Sequence, residues 1–418
     1  MPDILSVEQA KAQWLALIER RAPEEVELLD ACGRVLAADA VSDIDVAPFD
    51  NSAMDGFALR ASDLRGASDQ TPVALEVIAH IAAGDWCETE VVAGTAARIM
   101  TGAPMPPGAD TVVKVEETSV LSGDGGVGSQ VRFSRAPQPG ENVRHRGEEV
   151  KAGEAVLRAG ERLGPAAIGL LASTGHARVC VYRRPRVAVL STGSELVDID
   201  TVPPAGKIRN SNNYSLAAQV LEAGGIPVAF PNITDTLEAT KAALLEAAVS
   251  CDLIITSGGV SVGDFDYVKP ALEATGQLFF CKVNMRPGNP QTMGMVGSVP
   301  FFGLPGNPTS TFVGFEIFVR PAIRKMWGEK HLERPVTRAR LATAIQKKQV
   351  RRYFTRGRVR RTDDGALVAE LCGDQSSALL TTAHRANCLM ILPEGVAPVP
   401  ADSEVDCIRL DIEENACL

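Results

Sequence analysis

Apolar residues run through this chain in short blocks, and their spacing changes twice. From residue 27 to 180, brief Val/Ile/Leu runs are broken by Gly, Pro and Asp, which predicts β structure with many turns. Gly123-Asp124-Gly125-Gly126 fits a hairpin loop within it. From 185 to 325, strand-length apolar runs alternate with helical stretches. Arg186-Val187-Ala188-Val189-Leu190 predicts a buried strand, 214–222 a helix stopped by Gly224-Gly225, and Val228-Ala229-Phe230 another strand. Asp235-Thr236-Leu237-Glu238 predicts a helix capped by Asp235 and reaching about residue 249. Strands at 253–255 and 300–302 follow, then a helical stretch at 310–318. From 335 onward the short β-like runs return, at 336–345, Leu367–Leu371, Cys388–Leu392 and 405–410. At the start of the chain, Ser6-Val7-Glu8-Gln9 reads as a capping box opening an amphipathic helix that ends before Pro23.

Alternating strand and helix in the middle region implies parallel strands joined by right-handed crossovers. In such a sheet, ligands bind in the crevice at the carboxyl ends of the strands. The loops 191–195, 231–235, 256–266 and 303–309 all leave such ends. They are expected to line one rim, although they are far apart in sequence.

The 418 residues are too many for one ordinary core and predict two to four domains. A composition of 45% hydrophobic and 22% charged residues fits a soluble globular protein. A net charge of -10 argues against nucleic acid as a partner. The basic run from Lys347-Lys348 through Arg351-Arg352 to Arg361 is a local exception, read either as a solvated strand face or as a rim that attracts an anion. Nine cysteines without a CxxC pair indicate neither a zinc site nor a disulfide framework, and fit a reducing cytosol. The N-terminus does not resemble a signal peptide and no apolar run could span a bilayer, so a cytoplasmic location is expected.

The candidate chemistry gathers on Thr256-Ser257-Gly258-Gly259-Val260-Ser261-Val262-Gly263-Asp264-Phe265-Asp266-Tyr267. Residues 259–263 match the G-x-S-x-G of a hydrolase nucleophile elbow, but an elbow puts its serine directly between strand and helix, and here Ser257-Gly258-Gly259 intervenes. A phosphate cradle fits better, because adjacent glycines let backbone N–H groups approach an anion. Glu195, Asp235, Asp264 and Asp266 would collect at the same rim, where carboxylates tolerate phosphate only with a cation between them; oxygen ligands suit Mg²⁺. A helix cap accounts for Asp235 on its own, and Asp264 is either a second metal ligand or a cap. Lys282 and Arg286 sit at strand spacing beside a Pro-Gly turn and could hold a phosphate or another oxyanion.

Six segments together carry a resemblance: PFDNSAMDGFAL (48–59), RIMTGAPMPPGADTVVKVEE (98–117), GENVRHRGEE (140–149), STGSEL (191–196), TSGGVSVGDFDYVK (256–269) and GLPGNPTS (303–310). In this order they resemble the molybdopterin molybdenumtransferase family, MoeA, over essentially the full chain. The resemblance implies a multidomain α/β protein in which a central parallel-sheet α/β molybdopterin-binding domain is flanked by mainly β domains. Its expected parts are a discontinuous elongated domain (1–45 and 141–180), a β-rich domain inserted in it (46–140), the molybdopterin-binding domain (181–327) and a C-terminal β-barrel-like domain (328–418).

The resemblance also implies a homodimer that inserts molybdenum from molybdate into adenylylated molybdopterin, with Mg²⁺-dependent hydrolysis of the adenylate and release of AMP. By motif match, the candidate catalytic residues are Asp55, Thr101, Glu195, Asp266, Lys282 and Arg286. Asp235, Ser257, Gly258, Gly259, Ser261, Pro305, Gly306, Asn307, Pro308, Arg356 and Ser377 are candidate substrate-binding residues, and Glu195, Asp264 and Asp266 candidate Mg²⁺ ligands. The segments around Asp55 and Thr101 are expected over the cleft of the partner subunit. Further expected partners are a molybdopterin adenylyltransferase and molybdoenzyme maturation factors, with no nucleic acid and no membrane. The family's Lys-Pro-Gly-Lys-Pro is here Arg286-Pro287-Gly288-Asn289-Pro290, and Ser194 stands where an aspartate is common. An adenylyltransferase of the same central fold, or a scaffold that has lost the chemistry, are the rival expectations.

Overall fold

The structure is a computed structural model and describes residues 4–260 and 266–414. Ser261 and Asp264 lie outside the described residues. The chain forms two compact units, one of Met1–Glu24, Arg34–Ala37 and Cys180–Leu418, the other of Glu25–Gly33 and Ala38–Val179.

The second unit is mainly β. Its six-stranded sheet runs, from edge to edge, Thr111–Lys114, Gly56–Leu59, Thr95–Ile99, Val73–Ile81, Gln130–Phe133 and Thr118–Ser122. The last two form the antiparallel hairpin expected around residues 123–126, where Asp124 Oδ1 accepts the Gly126 N–H at 2.9 Å. Phe57 and Phe133 meet edge to face at 5.8 Å in the core beneath the sheet.

In the first unit a six-stranded sheet holds the candidate site. Its strands are β1 (Arg186–Ser191), β2 (Ile226–Ala229), β3 (Leu253–Ser257), β4 (Gly276–Lys282), β5 (Pro290–Val296) and β6 (Val299–Leu304), in the spatial order β2-β1-β3-β6-β5-β4. The first four in that order are parallel, as the alternation predicts, and their buried runs, such as Val187–Leu190, face helices on both sides. β5 and β4 are antiparallel additions, so the sheet is mixed. The reason is chain length: only Gly297-Ser298 separates β5 from β6, too little for a parallel crossover.

The helices between these strands are α1 (Ser211–Glu222), α2 (Leu237–Ser250) and α3 (Val268–Thr275), and α4 (Pro308–Gly314) follows β6. α1 is capped by Asn210, whose side chain accepts the Asn213 N–H. α2 is capped by Thr236, one residue later than expected, and this frees the Asp235 carboxylate. After α4 the helix is π-wound over Phe315–Val319 before Arg320–Met326. Pro321 cannot donate to the carbonyl of residue 317, and a widened turn accommodates that loss. The N-terminal helix Val7–Ala16 opens with the expected reciprocal capping box of Ser6 and Gln9, and buries Trp14 against Phe302.

The C-terminal part closes into a five-stranded barrel, because Arg352–Arg361 pairs with both Leu367–Leu371 and Cys388–Leu392. Arg358, Arg360 and Arg361 in the basic strand face solvent, whereas Lys347 and Arg356 are buried. Among the described residues no helix is long and apolar enough to cross a membrane.

Candidate active site

The carboxyl ends of β1, β3 and β6 converge as expected. A hollow of about 650 Å³ is lined by Thr192, Gly193 and Glu195 after β1, Asp235 before α2, Ser257, Gly258 and Gly259 after β3, and Pro305, Gly306, Asn307 and Pro308 after β6. Gly258 and Gly259 have φ of +90° and +68°. A Cβ on Gly258 would lie 2.8 Å from the Thr192 carbonyl, and one on Gly259 only 2.5 Å from Val268. These glycines allow the β1 and β3 loops to touch. The Gly258 N–H itself donates to the Leu304 carbonyl at 3.0 Å, so it serves the loop and not an anion.

Two carboxylates face this hollow by different routes. Asp235 Oδ2 accepts the Ser194 N–H at 2.7 Å, which ties the glutamate-bearing loop to the start of α2. The Asp235 helix cap expected from sequence is therefore replaced by a loop clamp. Glu195 is exposed, and its carbonyl accepts the Ile208 N–H at 2.8 Å. Asp266 follows the undescribed stretch and is not among the residues lining the hollow. Its Oδ1 is buried without a hydrogen-bond partner, and burial pushes its pKa up to about 6.

A second hollow of about 750 Å³ adjoins the first and is rich in cations. Arg286, Lys348, Arg351 and Arg356 line it, with Asn289 and Ser377. Pro290, Pro305 and Asn307 line both hollows and form the partition between them. Arg356 is only 1% exposed, and its guanidinium donates to the carbonyls of Asp374, Gln375 and Ser376 and to Thr382 Oγ1. Burial lowers its pKa to about 10, and the Asp374 charge only partly offsets that. Arg356 thus braces the 374–377 loop that carries Ser377, whose carbonyl accepts the Thr309 N–H at 2.9 Å. Lys282 lies on β4 opposite Pro290 and lines neither hollow.

Asp55 and Thr101 belong to the other unit. Both are exposed, and Thr101 hydrogen-bonds Asp55 through its backbone and its hydroxyl. These bonds, the backbone one first, hold the Asp55 carboxyl below the usual carboxylate range, with the Arg98 charge adding to them.

Sequence reading missed Asn212. Its Nδ2 donates to Ser257 Oγ at 2.7 Å and to the Gly306 carbonyl at 2.8 Å, joining two rim loops. The signal was present in Asn210-Ser211-Asn212-Asn213, a polar run where the chain enters α1 on the same rim. Lys207 was missed as well; its ammonium donates to the Ser194 carbonyl behind the glutamate loop.

Comparison with known proteins covers nearly the whole chain. Models of the MoeA N-terminal region (domains I and II), a probable molybdopterin binding domain and the MoeA C-terminal region (domain IV) match residues 5–175, 188–325 and 338–410. The chain is 40% identical over 393 residues to the molybdopterin molybdenumtransferase of Bacillus subtilis, covering 94% of this chain and 90% of that one. It is 37% identical over 411 residues to the Haemophilus influenzae protein of the same name, covering 96% and 98%. A MoeA crystal structure from Pyrococcus horikosii superimposes with a TM-score of 0.84 at 30% identity, over 98% of this chain and 100% of that one. Three family models in the expected order, with relatives of this identity over 90% and 98% of their length, place the chain in the molybdopterin molybdenumtransferase family, MoeA.

Proposed function

We propose that this protein is a molybdenum insertase of molybdenum cofactor biosynthesis, which transfers molybdenum from molybdate into adenylylated molybdopterin and releases AMP. The observation that carries the reading is the pair of adjoining hollows: two carboxylates, Arg209 and close-packed glycine loops line one, four cations and Asp374 the other, and Pro290, Pro305 and Asn307 face both. A phosphorylated pterin in the first hollow would reach an oxyanion in the second across that partition.

The donor set suits Mg²⁺ shared with a substrate. Among the described residues no three acidic, His or Cys side chains cluster as a cage. Mg²⁺ commonly takes one or two carboxylates and completes its shell with water and substrate phosphates. Glu195 and Asp235 would supply those carboxylates, and Asp266, outside the hollow at the end of the 256–266 loop, is a further candidate whose Oδ1 has no hydrogen-bond partner. When bound, Mg²⁺ neutralises charge on the phosphoanhydride.

The chain's own groups do the rest. Asp235 holds the glutamate loop, and Asn212 and the glycines hold the β3 and β6 loops in register. Arg286 offers a planar, permanently charged fork to the oxyanion. In this proposal the protein works in the cytoplasm as a homodimer, with Asp55 and Thr101 completing the partner's cleft. A molybdopterin adenylyltransferase upstream and molybdoenzyme maturation factors downstream are its proposed partners.

The test is to incubate the purified protein with adenylylated molybdopterin, molybdate and Mg²⁺, then measure AMP and active cofactor. Both should appear together. AMP without cofactor would mean a hydrolase and overturn the insertase reading.

A further inference from the structure

Arg286 is held in place by a phenol. Met285–Arg286 pairs in parallel with the first residues of Arg352–Arg361, and that register sets Arg286 beside Tyr353. The guanidinium lies over the Tyr353 ring at 5.1 Å, and its Nη1 donates to the phenol oxygen at 3.1 Å. The same oxygen accepts the backbone N–H of Lys348 at 3.1 Å and of Gln349 at 3.0 Å. The Lys347 ammonium lies 5.0 Å from the ring centre.

A phenol oxygen offers two lone pairs and carries one proton. Three N–H donors converge on this one, so its acceptor directions are fully used. Burial pushes the phenol's pKa up, but the Lys348 N–H, Arg286 and the Gln349 N–H together bring it below the ordinary value. Tyr353 is only 7% exposed, so these bonds are shielded from competing water. Arg286, Lys348 and Gln349 all line the cation-rich hollow, and one buried atom fixes all three.

We infer that Tyr353 is a positioning residue for the oxyanion: its phenol oxygen and ring hold the Arg286 guanidinium and the backbone of residues 348 and 349 against the wall of the second hollow. The inference rests on the insertase reading, in which that hollow takes molybdate. An arginine has many rotamers to lose on binding, and an arginine already stacked and hydrogen-bonded has lost them beforehand. With one N–H given to the phenol, most of its fork is left for a ligand. Tyr353 acts through Arg286, and this distinguishes it from a group that touches the anion.

The experiment compares Tyr353→Phe, Arg286→Lys and the double variant. Phe keeps the ring under both cations and removes only the oxygen. Molybdate binding is measured by calorimetry without turnover, and molybdate KM and kcat in the coupled transfer assay. Tyr353→Phe should weaken molybdate binding about tenfold, with KM rising more than kcat falls. In the Arg286→Lys background the same change should add clearly less than about tenfold, because the arginine it positions is gone and only the backbone of residues 348 and 349 is left to respond. Unchanged affinity in Tyr353→Phe, or an equal loss in both backgrounds, would overturn the inference. If Tyr353→Phe does not fold, the Arg286→Lys protein still decides: an affinity equal to wild type would refute a positioned arginine. Wild-type protein that neither binds nor transfers molybdate would instead overturn the insertase reading beneath it.

Discussion

Thr101 turns both its backbone N–H and its hydroxyl onto one oxygen of Asp55, at 2.7 and 2.9 Å. Two donors on one carboxylate oxygen favour the ionised form, and Asp55 accordingly titrates below an ordinary aspartate. Its contribution to stability is present above the unfolded pKa and is lost only as pH falls through the lower folded value. Asp55 therefore adds no titration step near neutral pH. Thr101→Val keeps the backbone donor and removes the hydroxyl. It should lower molybdenum transfer at least tenfold while moving the thermal midpoint by less than about 2 °C, since both side chains are exposed. Activity and calorimetry on the same preparation check both halves.

Asp266 has the opposite sign. Burial raises its pKa to about 6, so the folded state holds this proton more tightly than the unfolded chain. Its effect on stability is most favourable at acid pH and fades as pH rises through about 6. In Mg²⁺-free buffer, the stability of Asp266→Asn relative to wild type should rise from about pH 4 to about pH 6 and then level off, by on the order of 1 kcal/mol after solvent screening. The same variant should lose molybdenum transfer. Thermal midpoints across pH test the first claim, and a flat difference between the two proteins would refute it.

Asp235 separates a clamp from a charge. Asp235→Asn can still accept the Ser194 N–H, whereas Asp235→Ala cannot. The Asn variant should raise the Mg²⁺ concentration for half-maximal turnover with little change in loop order. The Ala variant should do both, with faster proteolysis or hydrogen exchange at residues 192–197. Equal behaviour of the two variants would assign Asp235 wholly to the charge.

Asn289 stands where relatives of this chain are expected to carry a lysine, and its Nδ2 donates to the Val283 carbonyl at 2.7 Å. Asn289→Lys adds a positive charge beside Arg286 in the second hollow. It should lower the molybdate concentration for half-maximal transfer about fivefold, at a stability cost of about 1 kcal/mol from the lost hydrogen bond. An unchanged molybdate dependence would place position 289 out of reach of the oxyanion.

Near the end of the described chain, Glu414 is buried between Arg320 Nε at 2.5 Å and Arg324 Nη1 at 3.3 Å. Burial pulls its pKa up, but the Arg320 hydrogen bond and both arginine charges pull it further down, so it stays ionised well into acid. Glu414→Ala removes the nearest acid from two buried guanidinium groups, although Glu222 and Glu316 remain near Arg320 and Glu329 near Arg324. The expected cost is about 2 kcal/mol, below that of a wholly uncompensated buried charge, read as a lower thermal midpoint. A variant as stable as wild type would show that water or another acid replaces Glu414.

The parallel half of the central sheet was legible because Val187–Leu190 and 253–255 are unbroken apolar runs of strand length. β4 and β5 were not, since Gly276-Gln277 and Gln291-Thr292 interrupt their apolar positions and neither shows an alternating face. The basic run ending at Arg361 was open between a solvated strand face and an anion-attracting rim, and in Arg352–Arg361 alternation sends Arg358 and Arg360 outward and Val359 into the barrel core. Glu195, Asp235 and the four rim loops that carry them were legible from topology alone. The roles of Asn212 and Tyr353 were not, because each depends on atoms brought together from distant segments: Asn212 meets Gly306, and Tyr353 meets Arg286.

Pro290, Pro305 and Asn307 face both hollows, and two of these three residues are prolines with fixed φ. A stiff partition of this kind works as a ruler. Under the proposed function, a molecule would be selected by the span between its two polar ends as well as by their charges, and a fragment carrying only one end would forfeit half of the grip. Shortening or lengthening the tether between those ends would then be discriminated as strongly as changing either one.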